Sequence, residues 1–173
     1  DCEPETISGD IEADTTWDTS ECPRVALDGN VRVTNGATLT IEPGVEVVGL
    51  SGARLTVKAE STLVASGESE NPVWFYGETD TSGYWEGIRI RSATANELDN
   101  VVVAHGGSNG WANVYVGSGA QAAVTNVRST QSATAGLVAE ESVSLSAFAA
   151  NEFRENEGAA VYVPTTALGS VDD

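Results

Sequence analysis

The 173-residue chain contains no methionine, one histidine and only eight basic residues, and it has no long hydrophobic run. A membrane-spanning helix needs about 18 or more consecutive apolar residues, so we expect no membrane insertion. Catalysis by a serine or cysteine triad would need His105 as its base, because the chain has no other histidine. His105 precedes a glycine-rich turn and has no flanking acidic residue, which favours a solvated histidine. We therefore predict no catalytic residue.

The shortage of basic residues leaves a strongly negative chain, with 26 acidic residues and a net charge of −18. Such a field repels nucleic acid and anionic membranes, and we expect neither as a partner. Such a charge attracts cations and is compatible with a cation-binding site. The same composition is also typical of an acidic surface that keeps a protein soluble in salt. Ca²⁺ takes about six to eight oxygen ligands, and the best acidic cluster is Glu78 with Asp80 in the polar loop 77–83. The sequence shows no EF-hand and no nonapeptide calcium repeat, so we predict no cofactor and keep Ca²⁺ as the one candidate ion.

The chain has only two cysteines, Cys2 and Cys22, both close to the N-terminus. Their spacing fits neither a zinc site nor a redox motif, which favours a disulfide that closes the N-terminal segment. Structural disulfides persist in oxidising compartments. We therefore expect an extracellular, cell-surface or periplasmic protein.

What the sequence does contain is a succession of short strands without a convincing helix. The stretch 37–48, ATLTIEPGVEVV, shows the pattern best. Leu39 and Ile41 alternate with polar residues, Pro43 and Gly44 form a turn, and the alternation then resumes. We expect two short strands here with a sharp corner between them.

The second half of the chain is repetitive. The units IRI, VYV, GLV and VYV end at residues 90, 116, 138 and 163, in steps of 26, 22 and 25. Asparagines run in phase with them at Asn100, Asn126 and Asn151. We expect these asparagines at tight left-handed corners, stacked in an amide ladder. A period that holds two or three strands and no helix indicates a β-solenoid.

Three segments resemble bacterial right-handed parallel β-helix repeat proteins of the cell surface, which share the pectate-lyase-like architecture. They are the run ATLTIEPGVEV, the W-x-G-I sequence at Trp85 to Ile88, and the final NEFRENEGAAVYV. The resemblance covers about residues 25–163 and implies an all-β, single-stranded right-handed parallel β-helix in which Trp85 packs at a corner. We interpret residues 1–24 as an irregular, disulfide-tied N-terminal cap and residues 25–173 as the β-helix of the same domain. Whether the chain is a piece of a longer one stays open.

Alternation along the four repeat units predicts which side chains face outward. The flanking residues of each unit, Val138 among them, should stack in the core, and Trp74 and Tyr76 should face outward by the same argument. The middle residues should form an exposed stripe of Arg89, Tyr115, Leu137 and Tyr162. Exposed aromatic rings stack on sugars, and arginine binds hydroxyl or carboxylate groups. The predicted ligand-binding residues are therefore Arg89, Tyr115, Tyr162, Trp74 and Tyr76.

Three functions are open for such a chain. We favour a secreted or surface-attached, non-catalytic module for binding or adhesion, with a polysaccharide or another surface protein as its partner. The first alternative is a carbohydrate-active enzyme, because the resembled proteins include polysaccharide lyases and glycosidases. The chain departs from the lyase pattern, however, since it has no compact aspartate cluster with a matching lysine and arginine. The second alternative is a structural spacer without a ligand, and the sequence does not specify an oligomeric state.

Overall fold

The computed structural model describes residues 2–164, which form an all-β parallel β-helix of about seven turns. This confirms the predicted solenoid. The described residues contain no α-helix, and their one helical element is a short 3₁₀ turn at Ser108–Gly110. In chain order the strands are β1 (Glu5–Ile11), β2 (Thr15–Trp17), β3 (Arg24–Val33), β4 (Thr38–Ile41), β5 (Glu46–Gly49), β6 (Arg54–Val57), β7 (Thr62–Ser66), β8 (Val73–Gly77), β9 (Gly87–Ile90), β10 (Asn96–Asp99), β11 (Val101–Ala104), β12 (Val114–Val116), β13 (Gln121–Thr125), β14 (Arg128–Thr130), β15 (Leu137–Ala139), β16 (Ser144–Ala149), β17 (Glu152–Arg154) and β18 (Val161–Tyr162).

Each turn of the β-helix contributes to three faces. Face 1 contains the first half of β3 with β5, β8, β11, β14 and β17. Face 2 contains the second half of β3 with β6, β9, β12, β15 and β18. Face 3 contains β2, β4, β7, β10, β13 and β16. Neighbouring strands pair in parallel because the chain winds in one direction, so each strand meets its backbone hydrogen-bond partners in the adjacent turns.

The core consists of columns of inward-facing aliphatic side chains. On face 2, Ile88, Val114, Leu137 and Val161 pair in successive turns, 26, 23 and 24 residues apart. The first three are fully buried, because alternation sends every second side chain of a strand inward. Trp85 is also fully buried, and its indole N–H donates to a backbone carbonyl at 2.8 Å. Its predicted structural role is therefore confirmed.

One residue that was predicted to face outward lies in the core instead. Leu137 pairs with the inward-facing Val114, whereas Val138 pairs with Tyr115 and faces outward. The prediction was wrong because the third repeat unit begins at Leu137 and not at Gly136. A shift of one residue exchanges the two sides of a strand. The outward column of face 2 is Arg89, Tyr115, Val138 and Tyr162.

The N-terminal segment is more regular than predicted. Strands β1 and β2 pair in parallel with β3 and β4, so residues 5–17 form a first turn of the β-helix and not an irregular cap. This turn pairs with the strand edges of the next turn. The disulfide between Cys2 and Cys22 is confirmed, with their Cα atoms 5.6 Å apart. It ties down the first turn and indicates an oxidising compartment.

The asparagine column is only partly as predicted. Asn100 and Asn126 have left-handed backbones with φ of 49° and 52°, but the next such residue in the column is Ala150. The predicted ladder between amides is wrong, because the side chains of Asn100 and Asn126 both donate to the carboxylate of Asp99. Asn151 lies one position later, and its amide bonds to two backbone groups of the preceding turn.

Two substitutions in β15 should distinguish the observed register from the predicted one. Leu137→Ala removes buried methyl groups and should lower the free energy of unfolding by about 2–5 kcal/mol. Val138→Ala changes an outward-facing side chain, so its effect should stay within about 0.5 kcal/mol. Chemical denaturation measures both differences. A larger loss for Val138→Ala than for Leu137→Ala would contradict the register.

Removing the disulfide should destabilise the first turn. In the loop-entropy model, a cross-link with a separation of 20 residues contributes about 3 kcal/mol. In the double variant Cys2→Ser, Cys22→Ser, amide hydrogen exchange should rise first in β1 and β2, which pair only with the following turn in the described part of the chain. Wild-type protein reduced with dithiothreitol is the control for the substitutions. Unchanged exchange in β1 under both conditions would show that the disulfide does not hold this turn.

Candidate functional site

A groove of about 560 Å³ lies on the outer side of face 1. Trp74 and Tyr76 of β8 line one side of it, and Arg128 of β14 lines the other. The strand between them, β11, places the smaller side chains of Val102 and Ala104 at its outward positions. The groove follows from the register, because two short side chains lie between longer ones in the turns before and after.

Trp74 is the most prominent side chain of the groove. Its exposed fraction is 36%, and Trp74 and Tyr162 are the large hydrophobic residues that are exposed in the described part of the chain. The guanidinium carbon of Arg128 lies 5.7 Å from the centroid of the Trp74 ring. This distance is within the range of a cation–π contact. The pair combines a flat apolar surface with a charged hydrogen-bond donor.

Tyr76 is held by a charged network with residues of the two preceding turns. Its hydroxyl donates to Oε2 of Glu46 at 2.6 Å, and the Arg24 guanidinium donates to the same oxygen at 2.8 and 3.0 Å. Burial and the neighbouring carboxylate raise the pKa of Tyr76 to about 12. Burial also acts to raise the pKa of Glu46, but the hydrogen bonds from Tyr76 and Arg24 outweigh it and lower that pKa. Near neutral pH, this wall of the groove presents a neutral phenol beside an ionised carboxylate.

His105 follows β11 and lines the groove. The prediction that it is solvated is wrong, since only 7% of the residue is exposed. Its backbone is left-handed, with φ of 63°, and its carbonyl accepts a hydrogen bond from the N–H of Tyr84 at 2.9 Å. Its Nε2 lies 3.2 Å from Oε1 of Gln131 and 3.9 Å from Oδ1 of Asp80. The imidazole is therefore packed between turns, with Nε2 beside polar groups of the groove.

The predicted metal ligands have different surroundings. Glu78 accepts a hydrogen bond from the Tyr84 hydroxyl at 2.8 Å. Asp80 lies at the margin of the groove with its side chain almost fully exposed. Within residues 2–164, no three Asp, Glu, His or Cys side chains converge on one point. Binding of Ca²⁺ by Glu78 and Asp80 stays a prediction.

The stripe that was predicted on face 2 is largely covered. Arg89 is only 7% exposed, because Trp111 from the loop 105–113 stacks on its guanidinium at 3.5 Å from the ring centroid. The prediction that Arg89 faces solvent is therefore wrong. Trp111 also packs edge-on against Tyr115, with ring centroids 4.9 Å apart. Tyr162 is 62% exposed, and the two aromatic residues of β8 lie on a different face from this group.

Sequence reasoning missed Arg128, Gln131 and Trp111. The repeat could have revealed Arg128, because it lies one period after Val102 and pairs with it directly. Gln131 follows the same strand, so the period also brings it close to His105. Trp111 had no such signal, since it lies in an irregular loop outside the repeat units.

The fold and the groove define a parallel β-helix protein whose candidate site lies on its outer surface. A family model described as a pectate-lyase like beta helix domain matches residues 9–118. The match covers more than half of the chain, so the chain belongs to this family. No curated protein and no solved structure matches the chain. The described residues contain no helix that is long and apolar enough to cross a membrane.

The pKa of Tyr76 predicts a loss of stability in strong base. Because the pKa in the folded state, about 12, exceeds the ordinary value of 10.0, folding favours the neutral phenol. This contribution is complete below about pH 10 and should be lost as the pH rises to about 12. In an absorbance titration at 295 nm, Tyr76→Phe should remove one phenolate from the transition near pH 12, and Glu46→Gln should move that phenolate to lower pH. If Tyr76→Phe instead removed a phenolate that titrates near pH 10 in the folded protein, the Tyr76–Glu46 contact would be contradicted.

Proposed function

We propose that the protein is a non-catalytic saccharide-binding module of the extracellular space, the cell surface or the periplasm, and that the groove on face 1 binds the sugar. The observation that carries this proposal is the exposed Trp74 beside Arg128 in a concave groove. An indole offers a flat apolar surface to the C–H groups of a sugar ring. A guanidinium donates paired hydrogen bonds to hydroxyl or carboxylate oxygens. The disulfide supports a location outside the reducing cytoplasm.

The size and lining of the groove support a small-molecule or oligomer ligand. Its volume of about 560 Å³ lies within the range of about 300–1,000 Å³ that is usual for ligand sites. Val102 and Ala104 provide an apolar floor, and Gln131, His105 and Arg154 add polar groups around it. Sugars require this combination, because their rings present apolar C–H groups and their edges present hydroxyl groups.

The family description supports a saccharide over a protein as the partner. The chain belongs to a family described as pectate-lyase like, and pectate is a polysaccharide. The groove also lies on the outer surface of stacked strands, so an extended chain could lie across several turns. We therefore propose a polysaccharide as the physiological ligand.

The state of Glu46 argues against a role for this residue as the acid of glycoside hydrolysis. Hydrolysis needs a carboxylic acid with a raised pKa to protonate the leaving group. The net effect on Glu46 is in the opposite direction, because Tyr76 and Arg24 stabilise its charged form. Its hydrogen bonds fit a residue that positions Tyr76 in the wall of the groove.

Binding should depend on Trp74 and not on the exposed tyrosine of face 2. A glycan array identifies the ligand, and calorimetry measures the affinity of two matched variants. Trp74→Ala should raise Kd by about 5- to 150-fold, which corresponds to about 1–3 kcal/mol for an aromatic anchor. Tyr162→Ala removes an aromatic ring that is more exposed than Trp74 but lies on another face, and it should leave Kd unchanged. Circular dichroism should show that both variants keep the β-helix fold.

Each contrary outcome points to a specific alternative. Equal losses of affinity in Trp74→Ala and Tyr162→Ala would contradict a site confined to face 1. An array without any hit would leave the structural spacer as the better explanation. Release of shortened or unsaturated sugars during incubation would identify the protein as a carbohydrate-active enzyme.

A further inference from the structure

Three charged side chains meet on face 2 beneath Trp111, apart from the groove on face 1. Glu86 is 5% exposed, and its Oε2 accepts hydrogen bonds from Nη1 of Arg54 at 2.7 Å and from Nη2 of Arg89 at 2.5 Å. Its Oε1 accepts a hydrogen bond from Nδ2 of Asn109 at 2.7 Å. Both carboxylate oxygens of Glu86 therefore accept hydrogen bonds.

The charges of this cluster do not balance. Two guanidinium groups contact one carboxylate, so one positive charge is left over in a protein whose net charge is −18. The side chain of Arg89 is only 8% exposed and that of Glu86 only 7%, whereas that of Arg54 is 29% exposed, so water screens the charge of Arg89 poorly and that of Arg54 in part. A buried charge is normally compensated by a partner of opposite sign. The described residues of the cluster therefore lack one negative charge.

Two hydrogen-bond donors of the cluster are also unused. The Nε atoms of Arg54 and Arg89 are buried, and neither has an acceptor among the described residues. Buried donors without a partner are rare in folded proteins, and each one calls for an explanation such as a bound ion or water. The unused donors and the excess charge belong to the same two guanidinium groups. Both features would be satisfied by one anion.

One surface loop covers the cluster. Trp111 lies 3.5 Å above the guanidinium of Arg89, and the preceding Asn109 and Gly110 are exposed. Asn109 has a left-handed backbone with φ of 57°, a conformation that asparagine adopts more readily than most residues other than glycine. Such loops open locally at lower free energy than the strands of the core. A small ion could therefore enter the cluster while the β-helix stays folded.

We propose that Arg54 and Arg89 bind a small inorganic anion of the halide class in a site closed by Trp111. The anion accepts the unused Nε–H donors and compensates the excess positive charge. The close packing of Trp111 on Arg89 excludes bulky organic anions from the closed site. The site lies on face 2 and is independent of saccharide binding on face 1, so either proposal can fail alone.

Thermal unfolding in two sodium salts of equal ionic strength tests the site. Chloride fits the site and gluconate does not, whereas both screen the surface charges. The melting temperature in chloride minus that in gluconate should be about 3–6 °C higher for the wild type than for Arg89→Met, as expected for a ligand at about ten times its Kd. Arg54→Met, whose side chain is 29% exposed, gives the same comparison if Arg89→Met does not fold. Equal differences for the wild type and both variants would overturn the proposal.

Two further variants separate anion binding from a purely structural role. Glu86→Gln removes the competing carboxylate and should enlarge the chloride effect, whereas a structural role alone would lower the melting temperature equally in both salts. Lys58→Met removes an exposed cation at the turn after β6 and should leave the chloride effect unchanged. A chloride effect that falls equally in Lys58→Met and Arg89→Met would overturn the proposal.

A bromide soak locates the ion directly. Crystals in sodium bromide should show an anomalous peak in contact with the Nε atoms of Arg54 and Arg89. The absence of this peak would overturn the proposal. So would a peak without a chloride effect in solution, since it would show binding at crystal concentration only.

Discussion

The in-register pairing of each strand with the strand one turn away is the constraint on which the structure depends. Parallel strands find their hydrogen-bond partners in the adjacent turns. On face 2 the paired residues lie 23–26 residues apart from β9 to β18 and 33 residues apart between β6 and β9, where the polar loop 77–83 lengthens the turn. The same register places each inward side chain against its equivalent in the next turn. Because each turn contacts only its neighbours, the stability of the solenoid is close to a sum over adjacent turns.

The register determines which side chains lie together on the outer surface as well as in the core. The groove exists because β11 offers Val102 and Ala104 where β8 offers Trp74 and Tyr76. The cluster on face 2 arises in the same way, since Arg54 and Arg89 lie on the adjacent strands β6 and β9 and share Glu86. Sites on this fold are thus assembled from residues that lie one or two turns apart, and their composition depends on which strands are adjacent.

The sequence predicted the periodic part of the structure and failed where the chain leaves the period. Alternation and repeat length led to the solenoid and to the outward direction of Trp74 and Tyr76, and the family resemblance led to the buried Trp85. Leu137 was predicted to face outward because the repeat unit was taken to begin at Gly136, one residue before the strand begins. Alternation alone cannot detect such a shift. The burial of Arg89 depends on Trp111 in the loop 105–113, whose path no period encodes. The groove could not be predicted from the sequence, because its depth depends on how side chains of different size lie side by side.

The disulfide has a mechanical consequence. A solenoid pulled at one end can unwind turn by turn, because each end turn is held by one neighbour. Cys2 and Cys22 are linked across a separation of 20 residues, so the first turn lies within a covalently closed loop. A load applied at the N-terminus passes through the sulfur bridge to Cys22 and reaches β3, whose ten residues run along two faces. The bridge therefore shields the first turn of the described chain from tension and transfers the force to its longest strand.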